Sequence, residues 1–223
     1  MIGLSKSSKK SKNMRIAIVG PDGPGKTSIS NQLQQMLPKA QIIYAGKSHN
    51  QTFRLTKWTY QFWKWIKQLR LPIFLQLVLF LIYYPIEFLE NLAHFRKPRK
   101  GKFFIYDRHP IDRMIMIHEY QISQPTHHKW SLKYLLLRRY NWFYQPFFPN
   151  IEQICCLLPK PELCWQCADG HYRSPVEAQW KIESYRLVAT ELAKHQKVQI
   201  IEIKPELTIN AITQNILVEM GNI

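Results

Sequence analysis

Acidic side chains are scarce in this chain. Fifteen Asp and Glu stand against 31 Lys and Arg in 223 residues, a formal net charge of +16. Such an excess favours polyanionic partners (nucleotides, nucleic acid, anionic lipid head groups, acidic glycans), unless it serves solubility alone. Cysteine is sparse as well: four residues without a secretory signal point to reduced cytosolic thiols, not to a disulfide framework. The N-terminal stretch has no apolar core and carries glycine at position 3, so neither a signal peptide nor myristoylation is indicated. The longest apolar run, residues 71–86, falls short of the roughly 18–20 residues that cross a bilayer, and Pro85, Glu87 and Glu90 stand against a crossing. There is no internal repeat and no glycine-flanked serine elbow for Ser-His-Asp chemistry. Helix-turn-helix, zinc-finger and RNA-recognition signatures are lacking too, so specific nucleic-acid binding is not expected.

What is present suffices for one α/β domain: 46% of residues are hydrophobic and 13% aromatic. The most informative stretch is Gly20-Pro21-Asp22-Gly23-Pro24-Gly25-Lys26-Thr27, which fits G-x-x-x-x-G-K-[ST]. The β-branched run Arg15–Val19 before it predicts a buried strand. Ser28–Leu37 after it has apolar residues at helical spacing and is closed by Pro38. Strand, glycine-rich loop and helix together predict a phosphate-binding loop. The backbone N–H groups from Gly20 to Thr27 would face the phosphates of a nucleoside triphosphate, with Lys26 on the β- and γ-phosphates and the Thr27 hydroxyl on Mg²⁺. The expected donor site is Gly20, Asp22, Gly23, Pro24, Gly25, Lys26, Thr27 and Ser28, with ATP and Mg²⁺ as its cofactors.

Residues 1–13 form a serine-spaced basic tail with too little apolar content to pack. Gln41–Ala45 is the second expected strand. Residues 53–98 form an insertion in which Phe53, Trp58, Tyr60, Phe62, Trp63 and Trp65 alternate with Arg54, Lys57, Lys64, Lys67 and Arg70. From Phe53 to Lys102 ten Lys or Arg stand against two Glu, a net +8. Two readings stay open for this insertion: a buried helix beside the sheet, or an interfacial element drawn to anionic lipid. Lys102–Asp107, four apolar residues closed by an aspartate, predicts a strand that places Asp107 at the carboxyl edge of a parallel sheet. There the carboxylate can hold Mg²⁺ or take a proton from an acceptor.

Pro110–Tyr120 is the next expected helix, Gln121–Lys129 a loop and Trp130–Gln145 a further basic, aromatic helix. Strands follow over Ile151–Leu158 and Lys197–Ile203. Helices are expected over Pro175–His195, with Ser174 as N-cap and Glu177 as its box partner, and over Leu207–Met220. Five strands alternating with helices specify a parallel sheet covered on both faces, a three-layer α/β/α architecture over residues 14–223. Cys164-x-x-Cys167 with His171 is an incomplete metal spacing. Cys155 and Cys156 would point to opposite faces of their strand, so structural thiols are the first reading.

The loop written GPDGPGKT, followed by Tyr106-Asp107-Arg108-His109, resembles the thymidylate kinase-like branch of the P-loop nucleoside monophosphate kinases. Pro161-Glu162-Leu163, and Arg173–Tyr185 with Glu177 and Gln179, look like that branch's lid and following helix. The similarity spans most of Met14 to Lys194. It implies a P-loop NTPase fold with a five-stranded parallel sheet, and transfer of the γ-phosphoryl of ATP to a nucleoside monophosphate such as dTMP or to another small acceptor. Carried onto this chain, Asp107 assists Mg²⁺ or the acceptor, and Arg108 neutralises charge on the transferring group. Two departures stand out. Tyr44-Ala45-Gly46-Lys47-Ser48-His49 replaces an Arg-Glu-Pro-Gly-Gly-like segment, and Gln166-Cys167 stands where the lid offers a basic pair, leaving Arg173 as the nearest substitute. Some relatives with a GPDG-type loop look associated with surface polysaccharide systems, so a lipid- or sugar-linked acceptor is the alternative. A further alternative is an ATP-binding regulatory module at a membrane surface. The expected location is cytoplasmic, with peripheral contact to anionic membrane a second option, and a homodimer is compatible with the sequence.

Overall fold

In the computed structural model the described residues are 13–44, 101–108, 151–168 and 171–221, together with residues 58, 61, 62, 65, 85, 86, 89, 92, 112, 115 and 118. Nearly all of the tail, most of the insertion, the loop 121–129 and the expected helix 130–145 lie outside them.

Five strands form one sheet: β1 (Met14–Val19), β2 (Ala40–Tyr44), β3 (Phe103–Asp107), β4 (Gln153–Pro159) and β5 (Val198–Ile203). Their order is β2-β3-β1-β4-β5 and every pairing is parallel. The helices among the described residues are α1 (Lys26–Met36), α2 (Pro161–Cys167), α3 (Pro175–Leu192) and α4 (Ile209–Gly221). Asp112, Ile115 and His118 are helical as well.

Alternation along the strands divides the core into two layers. Ile16, Ile18, Ile105, Cys155 and Leu157 face α1 and α4, meeting Ile29, Leu33, Ile212 and Ile216. Ala17, Val19, Tyr106, Cys156 and Leu158 face α3, meeting Ile182, Tyr185, Val188 and Ala189. Cys155 and Cys156 therefore point to opposite layers, and burial pushes both thiols up to about 12, as inert structural cysteines require.

The strand order places the site. From β1 the chain moves to one side for β2 and β3, and returns to the other side for β4 and β5. The carboxyl ends of β1 and β3 thus border the crevice where parallel α/β sheets take ligands. Register puts Ile18 opposite Asp107, and the Arg108 N–H donates to the Ile18 carbonyl at 3.1 Å.

Element limits differ from the sequence expectation by one to three residues. The largest functional shift is in α1, which begins at Lys26 and not Ser28. Gly25, in the left-handed region at φ 76°, caps it, so Lys26 and Thr27 already lie in the helix. The long helix stops at Leu192, three residues early, where its last turn tightens: the His195 and Gln196 N–H groups both donate to the Leu192 carbonyl. The last helix starts at Ile209, since Thr208 Oγ1 accepts from the Ala211 N–H at 3.2 Å.

Candidate active site

The loop from Gly20 to Gly25 joins a buried strand to a helix whose N-terminus has no capping side chain and no acidic residue in its first turn. Its amides are left for an anion, and the helix dipole favours one. Gly20 is required by close approach: a Cβ there would lie 2.5 Å from the Leu157 carbonyl oxygen of β4. At Gly25 the positive φ excludes an ordinary side chain at no steric gain, because nothing lies within 4 Å of where one would stand.

Lys26 is 6% exposed. Its Nζ donates to the Pro21 carbonyl within the loop and lies 3.8 Å from Asp22 Oδ1. Desolvation holds its pKa below the usual lysine value, with Arg108 adding to the fall and Asp22, Asp112 and Asp107 opposing it. Asp22 also takes the Arg108 guanidinium, Nη2 to Oδ1, at 2.5 Å. Burial works against the Asp22 carboxylate, but Arg108 and Lys26 outweigh it and the carboxyl sits below its ordinary range. Arg108 occupies the left-handed region at φ 73°, an uncommon conformation for an arginine and of the kind found at functional sites. Burial alone would lower its pKa; Asp22 and Asp112 reverse that and raise it.

Thr27 Oγ1 donates to Asp107 Oδ2 at 2.8 Å, so the loop hydroxyl and the strand-end carboxylate meet across 80 residues of sequence. Asp107 is 1% exposed, and its Oδ1 is buried with no hydrogen-bond partner among the described residues. A buried carboxylate oxygen left unmatched is costly unless something else occupies its lone pairs. Beside a threonine hydroxyl it offers the hard oxygen ligands that Mg²⁺ prefers. Thr27 and Asp107 therefore fit Mg²⁺. No group of three His, Cys, Asp or Glu among the described residues could hold a metal by itself.

Sequence reading missed the contacts that fix Asp22 from the far side. The Tyr172 hydroxyl accepts from the Asp22 N–H at 2.9 Å, and Cys164 Sγ of α2 donates to the Asp22 carbonyl at 3.2 Å. Burial raises the Cys164 thiol to about 11, so it stays protonated and keeps that bond. Gly23 lies against the backbone of Cys164 and Cys167. The segment expected to act as a lid thus touches the loop directly. Asp112 was missed too. The Tyr185 hydroxyl of α3 donates to its Oδ1 at 2.9 Å, and its charge is felt by both Lys26 and Arg108. Its one sequence signal is its place as the first carboxylate after Asp107, on the helix that follows the strand.

Gly20, Asp22, Gly23, Pro24, Gly25, Lys26, Thr27, Asp107 and Arg108 form one constellation, with the exposed Ser28 side chain at its rim. Arg173 stands apart. It is exposed ahead of α3, where its N–H donates to Glu177 Oε2 at 2.7 Å, and no described loop side chain bonds to it.

No protein-family model matches the chain, and no curated protein sequence does. Solved structures share its fold. A deoxyadenosine kinase from M. mycoides with bound dCTP superposes with a TM-score of 0.61 at 16% identity, covering 94% of this chain and 100% of that one. The same enzyme with products dCMP and dCDP gives 0.63 at 13%, with coverage again 94% and 100%. A thymidylate kinase from Candida albicans gives 0.63 at 17%, covering 94% of this chain and 92% of that one. At such identities the likeness establishes the fold alone, a five-stranded parallel sheet with helices on both faces that this chain shares with these structures.

Proposed function

We propose that this chain is an ATP- and Mg²⁺-dependent phosphotransferase that passes the γ-phosphoryl group to a small acceptor of the nucleoside or nucleoside monophosphate type. The observation that carries the reading is the Thr27–Asp107 bond, with Asp107 Oδ1, which has no partner among the described residues, beside it and Lys26 in the adjoining loop. The loop amides bind the donor phosphates, and Lys26 turns from Pro21 and Asp22 onto them. Thr27 and Asp107 would hold Mg²⁺, which would supply charge neutralisation for the donor phosphates. Arg108 balances charge on the transferring group, and Arg173 joins it from the segment before α3. Phosphoryl transfer asks mainly for positioning and charge balance, which this set supplies.

The test is ADP release from ATP–Mg²⁺ with dTMP, the other nucleoside monophosphates and the parent nucleosides, using Lys26→Ala as blank. Acceptor-stimulated release that falls by at least about 100-fold in Lys26→Ala is expected. Turnover unchanged in that variant sinks the assignment.

One observation favours a second reading, in which the acceptor is lipid- or sugar-linked, or the chain is an ATP-binding module, at an anionic membrane surface. Trp58, Phe62 and Trp65 are helical, spaced along one helix face, and 66%, 39% and 55% exposed. Trp58 and Phe62 stack at 5.8 Å between ring centroids, and Phe62 and Trp65 meet tilted at 5.9 Å. They form an aromatic stripe within the stretch of net charge +8.

A further inference from the structure

The four cysteines fall into two pairs of different character. Cys155 and Cys156 are both buried in β4, in opposite layers of the core. Cys164 and Cys167 stand three residues apart on α2, the first buried and the second exposed. That spacing puts both on one side of the helix, with Cα atoms about 5 Å apart, inside the roughly 4.4–6.8 Å that a disulfide spans. Cys167 is the last residue of the helix, so only the final turn has to give way when the pair closes. The same turn lies on the donor loop. Cys164 Sγ donates to the Asp22 carbonyl at 3.2 Å. A Cβ on Gly23 would stand 3.2 Å from the Cys164 carbonyl oxygen and 3.3 Å from Cys167 Cβ. Both cysteines thus bear on the loop, three residues before Lys26.

Resting on the reading of that loop as the ATP site, we infer that Cys164 and Cys167 are a reversible thiol–disulfide modification site, whose oxidation by a peroxide weakens ATP binding. Cys167, the exposed thiol, reacts first. Its sulfur takes one peroxide oxygen to become the sulfenic acid, while the O–O bond breaks and the other oxygen leaves as water with the thiol proton. The Cys164 sulfur then bonds to the Cys167 sulfur as the S–O bond breaks, and the hydroxyl leaves as water with the Cys164 proton. Together the two thiols give two electrons and two protons to one peroxide, which becomes two waters. The Cys164 proton is the one shared with the Asp22 carbonyl, so that hydrogen bond ends with the reaction. The Cβ atoms, about 5–6 Å apart on an intact turn, draw in to about 3.8 Å, and the turn that carries them shifts against Gly23. Loop amides moved from their phosphate geometry hold the donor less tightly.

The full-length protein is treated with hydrogen peroxide, mapped by peptide mass spectrometry, and titrated with ATP–Mg²⁺ before and after addition of dithiothreitol. Expected are a Cys164–Cys167 disulfide, an ATP–Mg²⁺ affinity weaker by at least about tenfold, and recovery in dithiothreitol. Cys167→Ser binds ATP–Mg²⁺ as the reduced parent does and keeps that affinity in peroxide. In Cys164→Ser, whose hydroxyl can still donate to the Asp22 carbonyl, oxidation stops at the Cys167 sulfenic acid, which dimedone traps. Three results would each overturn the switch: no Cys164–Cys167 disulfide in the oxidised parent, a disulfide that leaves the affinity unchanged, or an equal loss of affinity in peroxide-treated Cys167→Ser. All three leave the phosphotransferase reading standing. Reduced protein that binds no ATP–Mg²⁺ removes that reading itself, and the switch with it.

Discussion

Asp22 and Asp112 carry opposite pH signatures although they share the same two cations. Burial raises the Asp112 pKa over the opposition of Lys26, Tyr185 and Arg108, so the folded chain holds that proton more tightly than the unfolded one. Its stabilising contribution is present below the ordinary carboxylate pKa and is lost as pH rises through the folded value. Above the ordinary carboxylate range, therefore, Asp112 costs the fold stability, and Asp112→Asn should be more stable than the parent at neutral pH, with the difference closing in acid. Asp22, held below its ordinary range by Arg108 and Lys26, works the other way. Its contribution is present above the unfolded pKa and is lost as pH falls through the folded one, so Asp22→Asn should be less stable at neutral pH and level with the parent in acid. Urea midpoints of the three proteins from pH 3 to pH 8 check both signs; parallel curves would refute them.

At the scale of the element, two helices end in different ways for different reasons. At the start of α1 no side chain caps the free N–H groups, which suits a helix that receives phosphate. At the start of α3 the cap is complete: Ser174 Oγ accepts from the Glu177 N–H at 3.2 Å, while the Glu177 carboxylate accepts from the Arg173 N–H one residue before the cap. That helix carries Ile182, Val188 and Ala189 into the core and Tyr185 to Asp112. Ser174→Ala should cost about 1 kcal/mol of unfolding free energy, read from a shift in urea midpoint at constant slope. The site should survive it, because the core contacts of α3 hold Tyr185 in place.

On the scale of the whole molecule, the +16 charge and the exposed aromatic stripe bear on which surfaces the protein can meet. No helix of the described residues is long and apolar enough to cross a membrane. Surface binding makes lesser demands: amphipathic aromatic rings at the head-group level and basic residues near anionic lipid. If the stripe is such a surface, the protein sediments with phosphatidylserine-containing vesicles, releases at high salt, and loses most of that binding in a Trp58→Ala, Trp65→Ala double variant. Equal sedimentation of the parent and the double variant would remove the membrane reading and leave the stripe to some other contact.

The sequence by itself determined the sheet, the donor loop and the strand-end aspartate. These are local: β-branched runs buried on both faces, glycines at fixed intervals, and a carboxylate closing an apolar run can all be read within a few residues. It also held the cap of α3, whose partners lie three residues apart. Sequence patterning did not set the start of α1 correctly, because the left-handed Gly25 lets the loop pass directly into helix at Lys26. Only the tertiary structure decided which groups meet over the loop. Asp107 reaches Thr27 because β1 and β3 are neighbours, an order the chain shows only when folded. Cys164 and Tyr172 close on Asp22 from 142 and 150 residues away, and Tyr185 finds Asp112 from 73 residues away. Hydrogen bonds of that span depend on how helices are laid over a twisted sheet. No periodicity in the sequence encodes that placement, so these contacts became legible only in three dimensions.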